Sequence, residues 1–324
     1  MNPANAFHLA RALLAARLNG RRTPLVASLL VTNRCNLDCA YCGRAGDGQG
    51  ELTTGQWARL IDELADLGGL RLSVTGGEPL MRPDLGELLT RARARGLSIN
   101  LNTNGHLVEH KIDVVRLAHR VTISLDGPPA VHDAVRGAGS HDAVLRAAEL
   151  VRREKLPLTF YTVLSRDNLD HLPHVLETAR RFGARAFFQP GTALGLDGCS
   201  PNPTAPDTAS YRAAIDRLIE WKKQDEPVGN SAAGLRYLRH WPDPAPIACL
   251  GHLLFCRLEA DGCLRICGRD DLGARIDAVA LGLREAIHRL PAPTCDACWS
   301  AARVEFHLLA QMRPAAIWNY FRNQ

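Results

Sequence analysis

Residues 32–43 read TNRCNLDCAYCG, and this stretch decides the fold expected for the chain. Cys35, Cys39 and Cys42 follow the spacing C-x3-C-x2-C, directly after an apolar stretch, residues 25–31, that predicts a strand. Three thiolates on one short loop can hold three irons of a 4Fe–4S cube, which leaves the fourth iron open to a small molecule. Closely spaced cysteines can also bind structural zinc, but zinc sites usually combine two cysteine pairs, and a lone triplet fits them poorly.

Residues 24–193 alternate segments typical of strands with segments typical of helices. Strands are predicted at 25–32, 71–75, 98–102, 120–124, 158–164 and 185–189, and helices near 54–67, 84–95, 108–118, 140–154 and 170–182. Such alternation indicates βα units around a parallel sheet. Six strands in this length favour an α/β fold with an open, partial (β/α)6 TIM-like barrel. Functional side chains are then expected at the carboxyl ends of the strands.

Three of the predicted strands end in short polar or glycine-rich motifs: TGGEP (75–79), NTNG (102–105) and SLDGPP (124–129). Gly76 and Gly77 would let the backbone approach a ligand closely, and Glu78 could accept hydrogen bonds from an ammonium group. Asn104 and Ser124 could contact a ribose or a carboxylate, although each could equally be a cap or turn residue.

The cysteine triplet followed by the TGGEP turn resembles the radical S-adenosylmethionine (SAM) superfamily, whose triplet carries an aromatic residue, here Tyr41, before its last cysteine. The resemblance implies that Cys35, Cys39 and Cys42 hold a 4Fe–4S cluster whose open iron binds SAM. It also implies reductive cleavage of SAM to methionine and a 5′-deoxyadenosyl radical, which abstracts a hydrogen atom from an organic substrate. A low-potential electron donor, flavodoxin or ferredoxin, would be required.

The resemblance further implies a set of SAM contacts at the strand ends. The TGGEP turn would bind the amino group, and the motifs after the third and fourth strands would bind the ribose and the carboxylate. Tyr41 would contact the adenine largely through its backbone, and Val163 would flank it, with a core role for Val163 equally open. The implied contacts are Tyr41, Gly76, Gly77, Glu78, Pro79, Asn104, Ser124, Asp126, Arg136 and Val163.

Four further cysteines near the carboxyl end resemble the SPASM/Twitch extension of many radical SAM enzymes. They are Cys249, Cys267, Cys295 and Cys298. Residues 259–267 resemble the β-hairpin of that extension, with residues 261–262 as its turn. No cysteine follows Cys298, which points to the shorter Twitch form with one auxiliary 4Fe–4S cluster. A tetrahedral zinc site remains the alternative.

Three of the ten cysteines belong to neither group: Cys199, Cys256 and Cys263. Cysteines of this kind are most often small buried hydrophobic residues. Cys199, in a predicted loop, is the best placed to donate a hydrogen atom, as in radical epimerases of the superfamily. Cys256 could instead replace Cys249 or Cys267 as a ligand.

The sequence divides into four predicted regions. Residues 1–23 form a basic amphipathic helix, and residues 24–195 form the radical SAM barrel. Residues 196–246 are a loop, a helix over 211–223 and a connector, and residues 247–324 are the auxiliary-cluster domain with a carboxyl-terminal helix interrupted at Pro314.

Composition and charge limit the partners. The chain of 324 residues carries a net charge of +5, of which residues 1–22 supply four arginines and no acid. The remainder is nearly neutral, so no basic face indicates nucleic acid. The basic helix could lie on an anionic membrane or cap the bottom of the barrel, and capping is favoured. No signal peptide or membrane span is evident, so a reducing cytoplasmic location is expected.

The sequence does not identify the substrate. The favoured hypothesis is oxidation or epimerisation of a small molecule. The alternatives are maturation of a peptide or protein, modification of a membrane lipid, or, from a different class, a non-catalytic metal-binding scaffold. Residues 1–23 are too few for the additional leader-binding domain of many peptide maturases, which favours the small molecule without excluding a separate leader-binding partner.

Overall fold

The computed structural model describes residues 3–42, 46–191, 202–268 and 274–322, and in these ranges nine strands form one open sheet in the order β6-β5-β4-β3-β2-β1-β7-β8-β9. β1 to β7 run parallel, whereas β8 and β9 each pair antiparallel with the preceding strand. The strands are β1 Val26–Leu30, β2 Arg71–Thr75, β3 Ser98–Thr103, β4 Arg120–Ser124, β5 Leu158–Leu164, β6 Arg185–Pro190, β7 Phe255–Leu258, β8 Cys263–Arg265 and β9 Ile276–Asp277.

Helices connect successive parallel strands, as the predicted βα alternation requires. The α-helices of the described residues are α1 Pro3–Asn19, α2 Thr54–Asp66, α3 Leu85–Ala94, α4 Ile112–Val115, α5 Pro129–Arg136, α6 Ser140–Arg153, α7 Leu172–Arg181, α8 Thr208–Lys223, α9 Ala232–Leu238, α10 Gly251–Leu254, α11 Ala278–Leu281, α12 Leu283–Arg289, α13 Ala301–Ala310 and α14 Pro314–Arg322, of which α2 to α10 connect the parallel strands. The α/β fold with a parallel sheet is confirmed.

Side chains alternate in character along the barrel strands. On the helix side, Leu72, Val74, Ile99 and Leu101 are buried in the main core. The intervening residues of β2 to β5 line a cavity of about 950 Å³ instead. They are Arg71, Ser73, Thr75, Ser98, Asn100, Asn102, Arg120, Thr122, Ser124, Thr159, Tyr161 and Val163. The period of two therefore gives the sheet an apolar outer face and a largely polar inner face.

The carboxyl-terminal extension continues the barrel sheet. β7 pairs in parallel with β1, with Val26 opposite Phe255, so the extension is attached through backbone hydrogen bonds, which the sequence did not predict. The predicted hairpin is present between β7 and β8, where Glu259 N donates to Cys263 O at 2.9 Å. Gly262 adopts a φ of +83° in this turn, a conformation that glycine accepts without strain.

Helix α1 closes the barrel at the amino ends of the strands, as the capping alternative predicts. Leu9 and Leu13 pack against Leu25, which immediately precedes β1, and Leu9 also lines the cavity. Phe7, Leu14 and Leu18 on the opposite face are exposed by 72%, 57% and 76%. None of the helices in the described ranges is long and apolar enough to cross a membrane.

Some local predictions were wrong. The helix expected at 108–118 is reduced to α4, and turns precede it, in which Val108 N donates to Gly105 O at 3.3 Å and Lys111 N to Leu107 O at 3.0 Å. Helix α9 lies in the predicted connector, capped by Ser231, and α8 begins three residues earlier than predicted, capped by Asp207. Residues 192–201 of the predicted loop lie outside the described residues.

Candidate active site

The cysteine triplet lies on the loop that follows β1, at the carboxyl end of the sheet. Cys35, Cys39 and Cys42 are half-buried, and all three line the barrel cavity. Cys42 N donates to Cys39 O at 2.9 Å, which turns the chain between these two residues. Burial raises the pKa of Cys35, and it raises the pKa of Cys39 to about 11. Without a metal these two thiols stay protonated at neutral pH, so cluster binding would release protons.

The three sulfurs do not converge on one point. Within residues 3–42, 46–191, 202–268 and 274–322, no three Cys, His, Asp or Glu side chains are grouped to hold a single metal ion. In a cubane cluster each thiolate binds a different iron, so the ligands need not converge. The donor set therefore fits a 4Fe–4S cluster.

The two glycines of the TGGEP turn allow it to pack against the cysteine loop. A Cβ on Gly76 would lie 2.3 Å from Thr32 O, and one on Gly77 would lie 2.3 Å from Arg34 O. Gly77 N donates to Thr32 O and Glu78 N donates to Arg34 O, both at 2.8 Å. The sequence predicted that these glycines admit a ligand. In the structure, the absence of side chains at Gly76 and Gly77 allows the TGGEP turn to pack closely against the cysteine loop.

Glu51 fixes the start of the cysteine loop. Its carboxylate accepts hydrogen bonds from Thr32 Oγ1 at 2.6 Å, Asn33 N at 2.7 Å and Arg34 Nη2 at 3.1 Å. Burial opposes the charge of Glu51, but these hydrogen bonds together hold its pKa below the usual value. The sequence analysis did not identify Glu51, because it lies in a segment without a recognisable motif.

Glu78 is a positioning residue. It is fully buried, and its carboxylate accepts from Thr103 Oγ1 at 2.9 Å, Asn104 N at 2.7 Å and Leu80 N at 3.1 Å. From the sequence, Glu78 was expected to accept a hydrogen bond from a ligand ammonium group, whereas in the structure its carboxylate accepts from these three protein donors. Burial raises the pKa of Glu78 to about 7. Asn104 Nδ2 in turn donates to Asn36 Oδ1 at 2.9 Å, which ties the end of β3 to the cysteine loop.

A buried ion pair lies at the end of β4. Arg136 Nε donates to Asp126 Oδ2 at 2.6 Å, and Tyr41 OH donates to the same oxygen at 2.9 Å. Asp126 Oδ1 accepts from Val163 N at 3.0 Å. Arg136 also contacts Tyr41 OH, and its Nη1 lies 4.0 Å from Cys39 Sγ. Both carboxylate oxygens of Asp126 therefore accept hydrogen bonds from the protein, and Arg136 places a positive charge near Cys39.

The predicted SAM contacts divide into two groups. The residues that line the cavity beside the triplet are Tyr41, Gly77, Asn104, Ser124, Arg136 and Val163. Gly76, Glu78, Pro79 and Asp126 do not line it, and the last three are buried behind it. The first group can contact a ligand, and Glu78 and Asp126 of the second group hold three of its members, Asn104, Arg136 and Val163, through hydrogen bonds.

The carboxyl-terminal cysteines form a second group near the amino ends of the strands. Cys249, Cys267, Cys295 and Cys298 are half-buried, and their thiols lie close enough for electrostatic interaction. Burial raises the pKa of Cys249, and it raises the pKa of Cys298 to about 11. Cys298 N donates to Tyr237 OH at 2.9 Å.

A half-buried arginine accompanies this second group. Arg303 interacts electrostatically with Cys249, Cys267 and Cys298, and its Nη1 is shielded from solvent without a hydrogen-bond partner. A guanidinium nitrogen that is shielded from solvent without a partner is unfavourable, and a nearby negative charge would stabilise it. Four thiolates around a metal cluster would supply it, and the residues therefore fit such a group. A mononuclear zinc site with four thiolates would carry a similar charge.

Two of the remaining three cysteines, Cys256 and Cys263, are described by the structure. Cys256 is fully buried in the main core on β7, and burial raises its pKa to about 12. This position makes it a core residue, as the simpler interpretation expects, and its alternative role as a ligand has no support. Cys263 lies half-buried on β8, with its sulfur 3.3 Å from Arg275 Nη2. Cys199 lies outside the described residues.

Comparison with known proteins decides the family. Residues 29–179 match the family model described as the Radical SAM superfamily. The AdoMet-dependent heme synthase of Methanosarcina barkeri is 30% identical over 273 residues, which cover 76% of this chain and 77% of that protein. This chain belongs to the radical SAM superfamily.

Other radical SAM proteins resemble shorter parts of the chain or its fold. The PqqA peptide cyclase of Rhodopseudomonas palustris is 40% identical over 165 residues, which are 48% of this chain and 44% of that protein. The crystal structure of Streptococcus suis SuiB bound to S-adenosylmethionine matches with a TM-score of 0.71 at 17% identity, covering 90% of this chain and 72% of that one. A structure of anSMEcpe with bound AdoMet matches with a TM-score of 0.64 at 19% identity, covering 82% of this chain and 80% of that one.

Membership in the superfamily establishes the type of enzyme and its cofactors. The protein is an enzyme of the radical SAM type, and it uses a 4Fe–4S cluster and SAM. The predictions of an enzyme, of these cofactors and of a partial TIM-like barrel are confirmed. The alternative of a non-catalytic scaffold is thereby set aside.

Proposed function

We propose that this radical SAM enzyme binds its catalytic cluster through Cys35, Cys39 and Cys42 and abstracts a hydrogen atom from an organic substrate inside the barrel. The observation that carries the proposal is the single cavity that all three cysteines line. Together the cluster and SAM supply reductive cleavage, in which one electron converts SAM to methionine and a 5′-deoxyadenosyl radical.

The protein's own residues hold SAM beside the triplet. The backbone of Gly77, the side chains of Asn104, Ser124 and Arg136, and the apolar Val163 surround the space next to the cysteines. Buried Glu78 and Asp126 hold these residues in place through the hydrogen bonds described above. A rigid surround of this kind confines a reactive radical and excludes water from it.

The second part of the proposal is an auxiliary 4Fe–4S cluster held by Cys249, Cys267, Cys295 and Cys298. Four neighbouring thiols, and a half-buried arginine that interacts with three of them, support it. Fully ligated by protein, this cluster would supply one-electron transfer and no open iron for the substrate. Such a cluster favours a net oxidation.

The two cysteine groups lie near opposite ends of β1, and of the two only the triplet lines the cavity. The triplet follows the carboxyl end of β1, and Phe255, which packs beneath Arg303, lies beside the amino end of that strand and also lines the cavity. Five residues of β1 at about 3.3 Å each separate these ends by roughly 16 Å. A substrate in the barrel would therefore lie between the two clusters.

The cavity favours a substrate of moderate size that carries both polar and apolar groups. Its volume of about 950 Å³ is in the range of small-molecule sites. Its walls carry hydroxyl and amide groups, and Arg71 and Arg120 line its base. We infer a small molecule with an acidic group, bound with that group toward the arginines and its reacting carbon toward the triplet.

A peptide is the second candidate substrate. It is supported by the PqqA peptide cyclases, up to 40% identical, and by the structural likeness to SuiB, one structure of which contains the precursor peptide SuiA. The same cavity would then receive one side chain of the peptide.

Two partner proposals accompany the activity. A flavodoxin or ferredoxin would deliver the electron that SAM cleavage consumes. The exposed face of α1, with Phe7, Leu14 and Leu18 beside Arg11, would contact an anionic membrane.

The test is formation of 5′-deoxyadenosine. The anaerobically reconstituted enzyme is incubated with SAM and dithionite, and the products are measured by mass spectrometry. We expect 5′-deoxyadenosine and methionine from the wild type and from Cys263→Ser, and neither from Cys39→Ser. Equal yields from Cys39→Ser and the wild type would contradict the assignment of the triplet.

The substrate class is tested with the same readout. Dialysable and retained fractions of a cell extract are added separately, each with and without proteinase treatment. Stimulation by the dialysable fraction that survives proteinase supports the small molecule. Stimulation that proteinase abolishes supports the peptide and contradicts the small molecule.

A further inference from the structure

Arg303 is placed to control the electron affinity of the second cysteine group. It is the third residue of α13, five positions after Cys298. Its guanidinium interacts electrostatically with Cys249, Cys267 and Cys298, and its Nη1 is shielded from solvent without a hydrogen-bond partner. A charge in such a place is weakly screened, so it acts strongly on its neighbours.

An aromatic ring holds the guanidinium from the other side. Arg303 Cζ lies 4.7 Å from the ring centroid of Phe255, a cation–π arrangement. Phe306 packs edge-on against Phe255 with a centroid distance of 4.4 Å. The guanidinium thus lies between Phe255 and three of the four cysteines, Cys249, Cys267 and Cys298, with its Nη1 shielded from solvent.

Neighbouring charges do not cancel that of Arg303. Arg257 is paired with Glu259 through Nε to Oε1 at 2.6 Å and Nη2 to Oε2 at 3.2 Å, so this pair contributes little net charge. His307, one turn further along α13, is buried. In the part of the chain that the structure describes, no carboxylate lies within ion-pairing distance of Arg303.

We propose that Arg303 is a positioning residue that raises the reduction potential of the auxiliary cluster. The inference rests on the proposed function, since it requires that the four cysteines hold a 4Fe–4S cluster. Addition of one electron makes the cluster more negative by one charge, and a fixed cation nearby stabilises this reduced state more than the oxidised one. Without the cation, the cluster would take up an electron less readily.

The experiment is a redox titration of the auxiliary cluster alone. The full-length chain carries Cys35→Ala, Cys39→Ala and Cys42→Ala, so any cluster signal belongs to the second site. Into this background we introduce Arg303→Met, Arg303→Gln or Arg303→Lys, with Arg239→Met, a surface arginine paired with Asp216, as the matched control. Dithionite with mediators supplies the electron, and the reduced cluster is followed by electron paramagnetic resonance.

We expect the two neutral variants to lower the ratio of reduced to oxidised cluster at least tenfold at a fixed solution potential, a shift of about 59 mV for one electron. For Arg303→Lys, which keeps the charge, and for Arg239→Met, the reduction potential should stay close to that of the background variant.

Four outcomes would overturn the inference, and they are distinguishable. Absence of iron from the background variant would show that the second site holds no cluster, and the second part of the proposed function would then be wrong. A full cluster with an unmoved potential in both neutral variants would refute the role of Arg303 alone. An equal fall in Arg303→Lys would show that shape, not charge, matters. Loss of the cluster from both neutral variants, with retention in Arg303→Lys, would assign Arg303 to cluster assembly instead of tuning.

Discussion

Substitution of Gly77 by alanine tests whether the TGGEP turn lies against the cysteine loop. A Cβ at this position would lie 2.3 Å from Arg34 O, 2.7 Å from Arg34 C and 2.9 Å from Asn33 O. All three atoms belong to the backbone, so no side chain can rotate away. Since ordinary contacts begin near 3.4 Å, the turn and the loop must separate by about 1 Å.

The cost follows from two terms. Overpacking of this kind costs about 1–3 kcal/mol. The separation also weakens two hydrogen bonds, Gly77 N to Thr32 O and Glu78 N to Arg34 O, each contributing about 0.5–1.5 kcal/mol. We expect the free energy of unfolding of the apo protein to fall by about 2–5 kcal/mol. SAM should also bind the reconstituted enzyme at least tenfold more weakly, because the turn borders the cavity.

The assays are urea unfolding of the apo protein and equilibrium dialysis of SAM with the reconstituted enzyme. Gly55→Ala is the matched control, since a Cβ there meets nothing within 4 Å and the residue lies in α2. We expect the control to be neutral or slightly stabilising, because alanine favours a helix over glycine. If Gly77→Ala matched this control in both assays, the packing described here would be wrong.

Three further predictions concern buried charges and the exposed helix. Burial raises the pKa of Glu78 from 4.5 to about 7, so between these pH values the folded state binds more protons than the unfolded state. The free energy of unfolding therefore falls by up to about 3 kcal/mol as pH rises through this range. Urea unfolding at pH 5 and pH 8 should show a smaller fall for Glu78→Gln than for the wild type, and equal falls would contradict the assignment. Arg136→Met should lower the free energy of unfolding by about 3–5 kcal/mol, because it leaves the charge of Asp126 unpaired. Adding Asp126→Asn should restore part of this stability in unfolding experiments. A double variant no more stable than Arg136→Met would exclude the ion pair as the cause. The enzyme should sediment with anionic vesicles and Phe7→Ser/Leu14→Ser should not, whereas identical behaviour of the two proteins would exclude the α1 face.

The barrel could be predicted from sequence because each of its signals is local. The strands at 71–75, 120–124 and 158–164 have the predicted bounds, and the cysteine triplet lies on the loop where the motif predicts it. Apolar strand segments, glycine-rich turns and closely spaced cysteines are all recognisable within a few neighbouring residues.

Features that depend on distant pairing were not predictable. The parallel pairing of β7 with β1 joins residues more than 200 positions apart, and a strand of four residues carries no signal for its partner. The roles of Glu51 and Arg303 likewise arise from contacts with remote segments, since neither residue lies in a motif.

Burial changed the interpretation of individual site residues. Glu78 and Asp126 are typical ligand-binding residues by type, yet each lies behind the cavity and is bonded to protein donors. The polar inner face of the barrel was visible in the alternation of residues 71–75 and 98–103. It could have been recognised as the wall of a cavity, because strands buried on both faces are apolar throughout.

Central to the proposed function are two separate 4Fe–4S clusters, one held by the triplet beside the cavity and one by the second cysteine group near the amino ends of the strands. Iron and sulfide per chain test it most directly after anaerobic reconstitution of the wild type, a Cys35/Cys39/Cys42→Ala variant and a Cys249/Cys267/Cys295/Cys298→Ala variant. The account predicts about eight irons in the wild type and about four in each variant, with a cluster signal surviving in both. About four irons in the wild type, falling to none when the triplet is removed, would contradict the second cluster and its proposed role in electron transfer.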